Sequence, residues 1–104
     1  MTGQPPVDGV PAEVLAALRA ADDVAPDRPP ADTATSDEVA AWWEACATAD
    51  EIRGQAYERL AAWATATRQP VAVALAISAA QRYYTREAVT ARQRAEDRRA
   101  GRSG

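Results

Sequence analysis

Between Ser36 and Thr67 the chain repeats mostly small and apolar residues in alternating steps of three and four, and a proline closes the run. Val39, Trp42, Cys46, Ala49, Arg53, Ala56, Leu60, Trp63 and Thr67 follow that step pattern without a break. It is the spacing of an a/d seam, which only an α-helix gathers onto one face. Arg53 is its charged intruder. Trp43, Ile52, Tyr57 and Ala64 add a second flank, so the apolar face is wider than a strict two-stranded seam. Gly54 lies inside the pattern, where it costs about 1 kcal/mol relative to alanine. Close approach of another helix is one reason for a glycine there, and a local bend is another.

The start and stop of this helix are written locally. Thr35 and Glu38 have capping-box spacing, with Ser36 as the neighbouring alternative cap, and Asp37 and Glu38 sit at the positive end of the helix dipole. Gln69-Pro70 ends the pattern, because a residue before proline avoids the α region and proline suits the first turn of a new helix. From there Val73, Ile77, Ala80, Tyr84, Ala88, Ala91 and Ala95 resume steps of three and four. Val71 and Leu75 lie on a different side, near Ser78 and Arg82. Two helices of similar length with a tight connection run antiparallel. The chain therefore reads as all-α, a coiled-coil-like hairpin over 36–68 and 70–99, whose many seam alanines allow close packing.

The flanking segments are weaker. Residues 1–10 hold Pro5, Pro6 and two glycines and are expected to be disordered. Pro11 opens a short helix over 11–22 with Val14, Leu15 and Leu18 on a narrow apolar stripe, which must dock to persist. Residues 23–35, with Pro26, Pro29 and Pro30 among acidic residues, read as a stiff linker. Residues 100–104 read as a frayed end. With 104 residues the chain is one domain at most, and so small a core gains stability by associating, as a dimer or with another protein.

Missing residue types narrow the chemistry. There is no histidine, so neither a Ser-His-Asp triad nor an imidazole metal ligand can be built. The single cysteine, Cys46, forms neither an internal disulfide nor a thiolate zinc site and is expected to be a small buried hydrophobe. Asp22-Asp23 and Glu96-Asp97 are carboxylate pairs without an apolar pocket to raise a pKa. No enzyme, metal, cofactor or small-molecule substrate is expected. Met1 to Pro6 lacks the basic and apolar regions of a secretory signal, and Val71 to Ala80 is too short to span a bilayer, so the expectation is a soluble cytoplasmic protein with no membrane partner.

Three groups of residues remain as candidates for binding. The aromatic set of Trp42, Trp43, Tyr57, Trp63, Tyr83 and Tyr84 exceeds what two slender helices can cover. Aromatics and arginines dominate binding hot spots, which makes Trp43, Arg53, Tyr57 and Tyr83 candidate contacts for a protein partner or a second copy; the alternative is that the aromatics complete an intramolecular core with the helix carrying Val14, Leu15 and Leu18. The expected function is a non-enzymatic interaction module: an adaptor, a regulator or an accessory subunit.

The second group is basic. Residues 1–50 carry a charge of −8 and residues 51–104 one of +5. Every cation is an arginine, the side chain that grips phosphate bidentately, and Arg82, Arg86, Arg92, Arg94 and Arg98 are candidate nucleic-acid contacts. Arg92 can meet Glu96 and Arg94 can meet Asp97 on adjacent turns, and the acidic half of the chain can also neutralise this end. Val71-Ala72-x-x-Leu75-Ala76-Ile77-Ser78 resembles the first half of the helix-turn-helix of bacterial repressors, with alanine at Ala76 where that family prefers glycine. The resemblance implies a DNA-binding regulator using about residues 70–94, with Ala79, Ala80, Arg82, Tyr83 and Arg86 nearest the DNA. A helix continuous through Ala76-Ile77-Ser78 would remove that motif.

The third is a short pattern. Tyr83-x-x-x-Glu87 is similar to the Tyr-x-x-x-Asp/Glu element of the small helical-hairpin proteins exported by type VII secretion. Trp63-Ala64-Thr65 stands where their Trp-x-Gly turn would be, without the glycine and ahead of the turn. The resemblance implies secretion as part of such a system.

Overall fold

A computed structural model describes residues 9–101; the expectations of disorder for 1–8 and of fraying for 102–104 fall outside that range. Three helices follow one another: α1 (Ala12–Val24), α2 (Ser36–Ala66) and α3 (Val71–Arg99). The two long helices form the antiparallel hairpin, and α1 lies against α2 alone. The assembly is a rod of 57 × 22 × 16 Å.

Each boundary has a local cause. Thr35 is the cap of α2: its Oγ1 accepts from the Glu38 amide at 3.1 Å, and Glu38 Oε1 accepts from the Thr35 amide at 2.8 Å. At the other end, the Gln69 amide donates to Ala64 O at 2.9 Å and the Arg68 amide to Thr65 O at 3.2 Å. These are the two bonds of a Schellman motif, and they require a left-handed residue between them. That residue is Arg68, with φ 55°. Pro70 precedes α3, and its carbonyl accepts from Val73 and Ala74. The helices of the hairpin therefore stop at 66 and restart at 71, slightly inside the expected 36–68 and 70–99. The first helix is displaced towards the C-terminus of its expected span, 12–24 instead of 11–22, with the Ala25 amide still bonded to Ala21 O.

α2 carries two rows one residue apart, and each has its own neighbour. The row Ala40, Trp43, Ala47, Gly54, Tyr57, Ala61, Ala64 belongs to α3. Tyr57 stacks on Tyr84 with centroids 5.7 Å apart, and a Cβ built on Gly54 would lie 3.1 Å from Thr85 Oγ1. Ala40, Ala47, Gly54 and Ala64 in that row are buried, as are Ile77, Ala88, Ala91 and Ala95 of α3. The row read from the sequence as the hairpin seam, Val39 to Thr67, turns instead towards α1 and the segments around it. Trp42 Nε1 donates to Arg28 O in the linker at 2.8 Å, and Arg53 pairs with Asp22 at the end of α1. Gly9 reaches the indole of Trp63, where a Cβ would stand 3.1 Å from Nε1. On α1, Val14 and Ala21 are fully buried and Leu18 half-buried, while Leu15 turns outward.

The core is thin. Apart from Val14 and Ile77, every buried apolar residue among those described is an alanine. Alanine seams hold helices close but bury little area, so the packing depends on how near the backbones come. Gly54→Leu forces a branched side chain into the Thr85 contact and is expected to lower stability by about 1–3 kcal/mol, read from urea unfolding followed by circular dichroism. In the turn, an L-residue pays for the left-handed conformation that glycine adopts freely. Arg68→Gly is therefore expected to raise stability by about 0.5–1 kcal/mol after the entropic cost of glycine in the unfolded chain, measured in the same way.

Candidate functional site

The residues expected to bind a partner are for the most part occupied within the chain. Trp43 packs edge-on against Trp42 at 4.7 Å, and the Arg94 guanidinium lies over its ring at 4.8 Å. Tyr57 is stacked on Tyr84. Arg53 donates to Asp50 and to Asp22, both at 3.1 Å, and lies 5.7 Å from the Tyr84 ring centre. Burial disfavours the Arg53 charge, but its hydrogen bonds to Asp22 and Asp50 outweigh that and raise its pKa. Tyr83, the fourth candidate, meets Tyr84 edge-on yet remains about half exposed.

The candidate phosphate-gripping arginines divide likewise. Arg92 forms a bidentate pair with Glu51, at 2.5 and 2.7 Å, in place of the expected pairing with Glu96. Arg99 pairs with Glu44 through both carboxylate oxygens. Arg94 is taken by Trp43 and not by Asp97, which accepts from Gln93 Nε2 at 3.0 Å. These contacts arise because an antiparallel hairpin lays the basic end of α3 along the acidic first half of α2. Arg82 and Arg86 are exposed and make no ion pair among the described residues, and neither does the half-buried Arg98. α3 is continuous through Ala76-Ile77-Ser78, so the turn of a helix-turn-helix is absent there.

One face is left over, and the sequence reading passed across it. On α3, Ala72, Leu75, Ala79, Arg82, Arg86, Val89 and Gln93 step by three and four, and every one of them is exposed. Val71 and Tyr83 border the row. Leu75 is 64% exposed, Val89 67% and Val71 73%. The row extends along roughly 30 Å of helix, opposite the seam that binds α2. Its signal was the departure of Val71 and Leu75 from the α3 seam, which became a face only with Val89 added.

Two shallow grooves are present, the first of which reaches that row at Val89. One, of about 220 Å³, opens beside Gly54 between α2 and α3, with Glu51 and Glu58 on one lip and Gln81 and Val89 on the other. The other, of about 340 Å³, is lined by Pro29, Pro30, Val39, Trp42, Trp43 and Arg98, where the linker crosses α2. Cys46 is half-buried instead of fully enclosed; burial pushes its thiol pKa up, Asp50 adds to that and Arg53 opposes it. Among the described residues no group of three or more His, Cys, Asp or Glu side chains could hold a metal ion, and no helix is long and apolar enough to cross a membrane.

The interhelical ion pairs give a pH dependence with a definite sign. Hydrogen bonds from Arg99 and Arg92 hold Glu44 and Glu51 below the ordinary carboxylate value of 4.5. A carboxyl with a lowered folded pKa stabilises the fold above its unfolded value, and that contribution disappears as pH falls through the folded value. The thermal midpoint is therefore expected to hold steady above the ordinary value of 4.5 and to fall below it. Glu44→Gln with Glu51→Gln is expected to shrink that fall, as compared by melting curves across the acid range. Among known proteins, no family model, curated protein or solved structure matches the chain.

Proposed function

We propose that the protein is a small non-enzymatic interaction module whose docking face is the outer row of α3. A single observation carries the reading: Leu75, Val89 and Val71 stand mostly exposed on a helix whose opposite face is already packed. Scattered apolar residues on a surface need no explanation, but Leu75 and Val89 share one row of a rigid helix, where a single partner helix can reach both. The thin alanine core points the same way, since a chain with so little buried volume gains from burying more. Trp43, Arg53 and Tyr57 then act from within, holding the hairpin straight, and Tyr83 alone of the expected contacts borders the docking face.

A regulator that reads DNA through a helix-turn-helix has lost the turn it needs, and Arg92, Arg94 and Arg99 are engaged within the chain. For the type VII-like reading, the turn between the long helices is Arg68-Gln69-Pro70, without the tryptophan and glycine of that family, and only the short Tyr83 pattern supports it.

The test places a photo-crosslinking side chain at Ala79, in the middle of the row, or at Ala62, exposed on α2. In the native host, crosslinking to a protein is expected from position 79 and not from position 62, and Leu75→Glu with Val89→Glu is expected to abolish it. Equal capture from both positions, or from neither, ends the proposal.

A further inference from the structure

The outer row of α3 is not uniformly apolar, and its order constrains what can cover it. Leu75 and Val89 stand towards its two ends, and Arg82 and Arg86 lie one turn apart between them. Both guanidiniums are exposed and make no ion pair among the described residues, unlike Arg53, Arg92 and Arg99. A covering surface must therefore offer apolar contact at both ends and negative charge in the middle, because arginines set against an apolar or basic surface lose hydration without compensation.

A second copy docked α3 to α3 fails that requirement. In parallel register Arg82 faces Arg82, and in an antiparallel arrangement centred on the row Arg82 meets its counterpart's immediate neighbourhood. Either places like charges at the middle of the contact, where they destabilise it. The alternating steps of three and four along the row are what a second helix needs to interdigitate. Two arginines one turn apart match two carboxylates one turn apart on such a helix. A phosphate backbone would use the arginines but would find no role for Leu75 and Val89.

We infer that the outer face of α3 takes an acidic amphipathic helix of another protein, with carboxylates one turn apart set against Arg82 and Arg86 and apolar residues set against Leu75 and Val89. This rests on the interaction-module reading and adds the chemistry of the partner.

The probe is a synthetic helical peptide of about three heptads, with leucine at the seam and two glutamates one turn apart at its centre. A twin peptide carries lysine in place of both glutamates. Titration calorimetry measures each against the full chain and against its Arg82→Glu/Arg86→Glu variant, whose helicity is checked by circular dichroism. The glutamate peptide is expected to bind the unaltered chain about tenfold or more tighter than the lysine twin, and the charge-reversed variant is expected to invert that order. Leu75→Glu with Val89→Glu is expected to remove binding of both peptides.

Equal affinity for the two peptides, or no binding of either, overturns the inference. So does binding of duplex DNA or anionic vesicles that depends on Arg82 and Arg86 while the glutamate peptide stays unbound. If crosslinking from position 79 still captures a protein in those cases, the docking face stands and only the partner chemistry fails. If that protein is a second copy of the chain, the acidic-helix partner is replaced by self-association.

Discussion

The close approach of α2 and α3 at Gly54 is the constraint on which the other contacts depend. With a Cβ position only 3.1 Å from Thr85 Oγ1, the two backbones meet where one of them has no side chain. Alanines continue the seam on both sides, so the helices stay close along their length. Closeness at Gly54 leaves no room for a large side chain at that level, and the aromatics stand beside it. They pair: Tyr57 on Tyr84, Trp43 under Arg94. The edge contacts and the ion pairs of Arg92 and Arg99 then fix the register of a seam whose alanines, being alike, specify register poorly.

Packing against α3 leaves a second row of α2 for other neighbours. α1 and the segments flanking it cover the row of α2 that carries Trp42, Arg53 and Trp63, yet Val14 is the largest side chain fully enclosed anywhere in the described residues. Trp63 shows the cost of that cover: its Nε1 is buried and finds no acceptor among the described residues. An unmade indole hydrogen bond is tolerated where the ring's apolar area outweighs it. Among the described residues α3 has no equivalent of α1, and its outer row stays open.

The fold was largely legible, because periodicity and caps are local. The capping box at Thr35, the break at Gln69-Pro70 and the α3 seam through Ile77, Tyr84 and Ala88 all stand where the residues place them. Which row of α2 faces which neighbour was not legible. The rows beginning at Val39 and at Ala40 are offset by one residue and both are apolar, and the larger side chains of the first drew the hairpin seam to the wrong one. Periodicity reports that a face is buried; it cannot report against what. Arg68 escaped for a different reason, since the left-handed position of a Schellman turn is recognised by glycine or asparagine and this turn supplies neither.

The candidate site was less legible than the fold, for a reason seen in single residues. Trp43, Tyr57 and Arg53 have the composition of a hot spot, but composition does not distinguish a contact made within the chain from one made across an interface. Arg92 and Arg99 were likewise unassignable while Glu51 and Glu44 were distant in sequence. Leu75 and Val89, conversely, look unremarkable in the sequence because arginines and alanines interrupt them. They become a face only after the opposite side of α3 is assigned to α2. The charge distribution follows the same logic: folding the basic end back on the acidic half engages Arg92, Arg94 and Arg99 and leaves Arg82 and Arg86, in the middle of α3, without an ion pair among the described residues. What is left to act outward is a short basic centre between apolar ends, a pattern with a direction and a length that the net charge of −3 conceals.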